Sequence, residues 1–148
     1  MEKIKKVIAS APALQKLADR DKWAYAQDWE CELAFSTCGT INIKIRKGYW
    51  TDLASVPRGL RGLFDNGSGE YGVLVASQIH DMIYSTHYFY KDMADELFFQ
   101  LLRFYKMSYA KAKLYYLAVH WFGDKAWETL SPEEQERDQA LCSVFWGP

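Results

Sequence analysis

Several common signals are missing from this chain. Neither sign of charge prevails: 18 Lys and Arg stand against 19 Asp and Glu, for a formal net charge of −1. A protein built to hold a phosphate backbone carries a basic excess, so nucleic acid is not an expected partner. Cysteine is scarce; Cys31, Cys38 and Cys142 are an odd number without metal-ligand spacing such as C-x-x-C. They suit a reducing cytoplasm, where a free thiol packs as a small hydrophobe. Long apolar runs are absent too. The charge-free stretch from Leu114 to Gly123 falls well short of the roughly 20 residues a bilayer requires. Between Lys3, Lys5, Lys6 and the small residues Ala9-Ser10-Ala11 lies only Val7-Ile8, too short for the apolar centre of a signal peptide. A protein with no signal peptide and no transmembrane segment is therefore expected.

What the chain does have is aromatic side chains: six Trp, ten Tyr and eight Phe, 16% of the residues. Apolar residues make up 49% and charged residues 25%, which excludes disordered and low-complexity classes. A length of 148 residues without repeat or linker fits a single domain with a sizeable core, residues 1–148.

The clearest local pattern is a strand. Ile41, Ile43 and Ile45 alternate with Asn42, Lys44 and Arg46, and upstream Cys31, Leu33 and Phe35 alternate with Glu30 and Glu32. Ser36-Thr37-Cys38-Gly39 separates them with turn chemistry, so a hairpin over about 29–49 is expected. The charges suggest a register with Phe35 beside Ile41, Leu33 beside Ile43 and Cys31 beside Ile45, placing Glu32 opposite Lys44 and Glu30 opposite Arg46. A short helix over 11–20 would bury Leu14, Leu17 and Ala18. From Glu70 the period becomes helical, with Val75, Ile79, Met82 and Ile83 forming the stripe of a helix over 70–86. A second helix starts near Asp92 as N-cap, carrying Ala94, Leu97, Phe98, Leu101, Phe104 and Tyr105. Ser108 caps a third, whose Leu114, Leu117, Ala118, Trp121 and Phe122 would face inward before Gly123. Ser131-Pro132-Glu133-Glu134 has capping-box spacing and opens a tail helix. The expected class is α+β: a small antiparallel sheet, then a bundle of three main helices, with short N- and C-terminal helices.

Chemistry gathers on the first two of those helices. His80 falls on the flank of the apolar stripe, with Ser77 and Tyr84 nearby, while Asp81 points further out. A boundary histidine can have one nitrogen fixed by protein and the other offered to a ligand; it can equally be a structural boundary residue. Asp95 falls inside the apolar arc near Phe98, Phe99 and Leu102. A buried carboxylate needs a partner, because desolvating its charge costs several kcal/mol. His80, on the preceding helix, is the natural one, and such a pair would fix the imidazole tautomer and favour its protonated form. The alternative is an ion pair that locks two helices, or a carboxylate that caps a backbone amide. Asp52 and Ser55, in the irregular stretch before Pro57, either add an oxygen ligand or bond their own backbone in a turn. Together Asp52, His80, Asp81 and Asp95 could hold a cation. Gly67-Ser68-Gly69, a glycine pair before the helix, either meets an anion at the helix start or simply makes the turn. His120 shares a face with Lys113 and Tyr116 and is assigned to the surface, and His87 to the periphery.

The ordered set Thr51-Asp52-Leu53-Ala54-Ser55-Val56-Pro57, Ile79-His80-Asp81-Met82-Ile83-Tyr84, Ala94-Asp95 with Phe98, Tyr116-Leu117-Ala118-Val119 and Phe122-Gly123 resembles a family of small phage and prophage proteins known only as a domain of unknown function. The resemblance runs from about Ile41 to Trp127, leaving extensions at 1–22 and 128–148, and implies a phage-related origin with a shared site. It implies, too, a phage virion or host component as partner, and a place in the host cytoplasm or the virion. His120 departs from the arginine expected there, which implies that the position is not catalytic. A fainter likeness is to histidine–aspartate phospholipases, the parvovirus-capsid type in particular, in which His-Asp-x-x-Tyr on one helix meets an aspartate from the next. That likeness implies His80 as the base, Asp81 as a calcium ligand, Asp95 as the orienting group and Tyr84 as a supporting hydrogen bond.

Two functions follow as expectations. One is a hydrolase in which His80 and Asp95 activate water against an ester, a phospholipid included, helped by calcium or another divalent cation on Asp81 and Asp52. The other is a non-enzymatic phage accessory or virion component in which the same cluster is structural. Fourteen of the 24 aromatic residues fall between Tyr84 and Trp127, mostly on or beside the helices, and are expected as core and pocket wall.

Overall fold

The computed structural model describes residues 2–18, 22–51 and 70–148. Asp52, Ser55, Pro57 and Gly67-Ser68-Gly69, singled out in the sequence, lie outside them.

Among the described residues the fold is α+β. Seven strands come first and last in the chain, with five helices between them: β1 (Ile4–Ala9), β2 (Leu14–Lys16), β3 (Trp23–Tyr25), β4 (Trp29–Phe35), β5 (Thr40–Ile45), β6 (Trp50–Thr51), α1 (Glu70–Thr86), α2 (Lys91–Phe104), α3 (Tyr109–Phe122), α4 (Asp124–Glu128), α5 (Pro132–Leu141) and β7 (Cys142–Gly147). The larger sheet is antiparallel in the order β1-β4-β5-β7; the smaller runs β2-β3-β6. Alternation does what the sequence suggests. Cys31, Leu33, Phe35, Ile41, Ile43 and Ile45 are buried on one face of β4 and β5, in one core with Val75, Ile79, Met82 and Ile83 of α1 and Leu97, Phe98 and Leu101 of α2.

The hairpin register differs from the expected one by two residues. Leu33 pairs with Ile41, Cys31 with Ile43 and Trp29 with Ile45, so Glu32 faces Asn42 and Glu30 faces Lys44. The turn is tighter than the charge pattern suggests: the Phe35 N–H donates to the Gly39 carbonyl at 2.9 Å, leaving three residues in the loop. Gly39 adopts φ +96°, which a side chain resists, and the Glu2 carboxylate accepts the amides of Thr37 and Cys38 at 3.0 Å each. A slip of two residues keeps every side chain on its own face, so the core prediction survives the register error.

Other differences are physical too. No helix forms over 11–18; Leu14–Lys16 instead pairs with Trp23–Tyr25, non-local pairing prevailing over local propensity. Helix α2 begins at Lys91 with Tyr90 as N-cap, which gives no side-chain bond, and Asp92 lies in the first turn where its charge suits the helix dipole. Ser108 does cap α3, accepting from the Lys111 amide, and Ser131 with Glu134 closes the capping box of α5. The inward face of α3 is not the expected one: Ala112, Tyr115, Ala118 and Val119 are buried, whereas Leu114, Trp121 and Phe122 are exposed. Strands β1 and β7, unread in the sequence, lie at the two edges of the larger sheet, so both ends of the chain join it. No described helix is long and apolar enough to cross a membrane.

Candidate functional site

The flank of α1 next to α2 carries the site. With Val75, Ile79, Met82 and Ile83 facing the core, the next position round the helix is His80, whose side chain is only 2% exposed. Its ring lies 4.2 Å from that of Tyr84, one turn on, and 5.1 Å from Phe98 of α2, centroid to centroid. Asp95 enters from α2 with no exposed surface. Its Oδ1 is 2.7 Å from His80 Nε2 and accepts a hydrogen bond from the Tyr84 hydroxyl at 2.8 Å. The pair expected from the sequence therefore forms, and Tyr84 joins it.

A third partner was not read from the sequence. Lys91 donates through Nζ to Asp95 Oδ2 at 2.8 Å, reaches the His120 carbonyl at 3.1 Å, and lies 3.3 Å from Asp124. The i,i+4 spacing of Lys91 and Asp95 was the available signal. Burial pushes the Asp95 carboxyl up, but the hydrogen bonds from His80, Lys91 and Tyr84 outweigh it and hold Asp95 below its ordinary range. For His80 the expectation of a favoured imidazolium is reversed. Burial is the largest influence and pulls its pKa down, Asp95 only partly offsets it, and Lys91 pulls the same way as burial. Lys91 already neutralises Asp95, so the carboxylate has less field to spend on the ring. With Asp95 ionised, Nε2 is the donor of the shared bond and the imidazole is neutral.

His80 borders a cleft of about 260 Å³ lined also by Asp81, Tyr84 and Ser85 of α1, Tyr49, Trp50 and Thr51 beside and in β6, and residues of α3, α4 and α5. Thr51 Oγ1 donates to Asp81 Oδ2 at 2.5 Å, tying the end of β6 to the helix. On the far wall Arg137 bonds Asp138 at 3.1 Å and lies 4.5 Å over the Trp50 ring. Burial raises the Asp138 carboxyl against the opposing pull of Arg137. These α5 residues come from what the sequence marked as a terminal extension, and nothing in their local pattern announces a cleft.

Two groupings bear on a metal. Asp92, Asp95 and His120 offer atoms within 4.8 Å of one another, and His120 Nδ1 lies 3.8 Å from Asp95 Oδ2. His120 is thus closer to the site than its surface assignment implied. The grouping is a poor cation site, because the Lys91 ammonium already sits on the same Asp95 oxygen. Asp81 lines the cleft, but its expected companion Asp52 is outside the described residues, and no described cluster of three acidic, His or Cys residues includes Asp81. Cys31 is buried, and burial pushes its thiol up to about 12, which fits a packing residue and not a nucleophile. His87 stacks on Trp127 at 3.7 Å.

Residues 23–119 match the family described as "Protein of unknown function (DUF1353)". The chain belongs to that family. The matched stretch holds Thr51, His80, Asp81, Tyr84, Lys91 and Asp95, and ends before the α4 and α5 walls of the cleft. It starts earlier and ends earlier than the resemblance traced through the sequence motifs. No curated protein and no solved structure matches the chain.

Proposed function

We propose that this protein, of phage type, is a hydrolase in which His80 activates water against an ester, with Asp95 orienting the ring and Tyr84 and Lys91 holding Asp95. The observation that carries the reading is a buried imidazole 2.7 Å from a buried carboxylate at the edge of a cleft, where burial pulls the His80 pKa down and the hydrogen bonds of Asp95 hold its own pKa low. A general base must be unprotonated before the reaction and stabilised once it becomes an imidazolium; Asp95 meets the second need without defeating the first. In the step, water oxygen bonds to the carbonyl carbon while its proton passes to the His80 imidazole. Collapse of the tetrahedral adduct breaks the carbon–oxygen bond, and the proton returns to the leaving alkoxide, giving acid and alcohol. Asp81, facing the cleft, is the candidate ligand for calcium or another divalent cation, with Asp52 as its companion.

The experiment is a panel of carboxylic and phospholipid esters, with calcium or with chelator, against wild type, His80→Ala and Asp95→Asn. Activity lost in both variants is expected; full activity in His80→Ala removes the dyad from the reaction, and no turnover of any ester by wild type overturns the reading. A second reading rests on the 2% exposure of His80: the cluster ties α1 to α2 in a non-enzymatic phage accessory or virion component. Under it His80→Ala lowers thermal stability and no ester is turned over.

A further inference from the structure

Helix α3 turns an apolar stripe outward. At about 100° per residue, Ala110, Leu114, Leu117 and Trp121 share one face, and that face is opposite the buried Ala112 and Val119. Leu114 is 50% exposed and Trp121 64%, and the adjoining Phe122, at the lip of the His80 cleft, is 75% exposed. Isolated exposed apolar residues are ordinary, whereas Leu114 and Trp121 with the half-buried Leu117 between them form an apolar row along the helix. Its charge names the partner. Lys111 and Lys113 stand on the two flanks of the row, and α3 contains no Asp or Glu in a chain that is otherwise charge-balanced. The α2 carboxylates Asp92 and Glu96 act on Tyr116, across the helix from Leu114. Two copies meeting through this face would bring four lysines together without a carboxylate from either α3. Trp, Phe and Leu in the middle with Lys at the margins is instead the arrangement that settles into a headgroup layer.

We propose that the outer face of α3 docks on an anionic lipid surface, Leu114, Trp121 and Phe122 entering the headgroup region and Lys111 and Lys113 meeting lipid phosphates. Docking so would place the mouth of the cleft at the lipid, and it does not depend on His80 being catalytic.

The test is cosedimentation of the full chain with vesicles of phosphatidylcholine alone or mixed equally with phosphatidylglycerol. Wild type is expected to bind the mixed vesicles roughly tenfold or more tightly than the neutral ones, since each lysine near an anionic surface adds attraction. Leu114→Glu/Trp121→Glu, at exposed positions and with an unchanged thermal transition, is expected to lose that binding, and His80→Ala to keep it. Wild type that ignores mixed vesicles, binds neutral ones equally well, or is matched by the double variant overturns the proposal. So does a wild-type dimer that the double variant converts to monomer without any vesicle binding, which would assign the face to a second copy. Loss of esterase in His80→Ala with vesicle binding intact separates the two proposals, as does the double variant turning over a soluble ester while ignoring vesicles.

Discussion

Asp95→Asn is the perturbation whose size the structure sets most directly. The carboxylate has no exposed surface and accepts from His80, Tyr84 and Lys91. An asparagine keeps one carbonyl for His80 and Tyr84 but turns its amide N–H groups toward the Lys91 ammonium, donor against donor. Removing one partner of a buried pair costs about 3 to 5 kcal/mol, because the other charge stays buried. Asp124, 3.3 Å from Lys91 but itself well exposed, offers partial relief, so the lower end, about 3 kcal/mol, is expected. At roughly 2 to 4 °C per kcal/mol for a chain of this size, the thermal midpoint should fall by about 6 to 12 °C. Circular dichroism melts and urea titrations measure it, with the urea slope unchanged. Lys91→Met should cost a similar amount. The double variant should recover part of the sum, because neither charge is then left alone. A loss below about 1 kcal/mol in Asp95→Asn would refute the claim that Asp95 is an ionised, saturated hub.

Acidification should destabilise the fold in two windows. The native pKa of His80 lies below its ordinary 6.5, so the unfolded state binds that proton first and stability falls below about pH 6.5, by at most about 1.4 kcal/mol per unit. Asp95, depressed in the fold, contributes stability above its unfolded pKa that is lost as pH falls through its native value. Asp138, raised, works the other way as it protonates. His80→Gln should flatten the first window, which urea titrations at pH 7 and 5 would show. Gly72→Ala should cost about 1 to 3 kcal/mol in a thermal melt, since its new Cβ would meet Tyr105 Cβ at 2.2 Å across the helix contact. Ser131→Ala should cost about 1 kcal/mol by losing the capping box of α5. The same melt checks it.

What the sequence showed follows from the range of the forces involved. The alternating isoleucines of β5, the apolar stripe of α1 and the caps Ser108 and Ser131 are local patterns, and each forms as read. The pairing of His80 with Asp95 was legible because a buried carboxylate demands a partner and the preceding helix had one to offer. The hairpin register was not, since Gly39 and the distant Glu2 decide the turn. Strand β7 pairs with β5 across about a hundred residues, and its six residues carry little alternation of their own. The outward face of α3 was misread because periodicity shows that a stripe exists without saying what covers it. Lys91 stands one helical turn before Asp95 on the same helix, a spacing the sequence holds, but its further contacts with the His120 carbonyl and Asp124 come only from the packing of neighbouring elements.

The protonation state of His80 bears on every part of this mechanism, and it can be read without knowing the substrate. The chain has three histidines, His80, His87 and His120, so ¹⁵N-histidine NMR with His87→Gln and His120→Gln variants assigns the ring. The expected spectrum at pH 7 is a neutral imidazole with its proton on Nε2, titrating below 6.5. An imidazolium at pH 7, or a proton on Nδ1, would contradict a water-activating dyad built on Asp95.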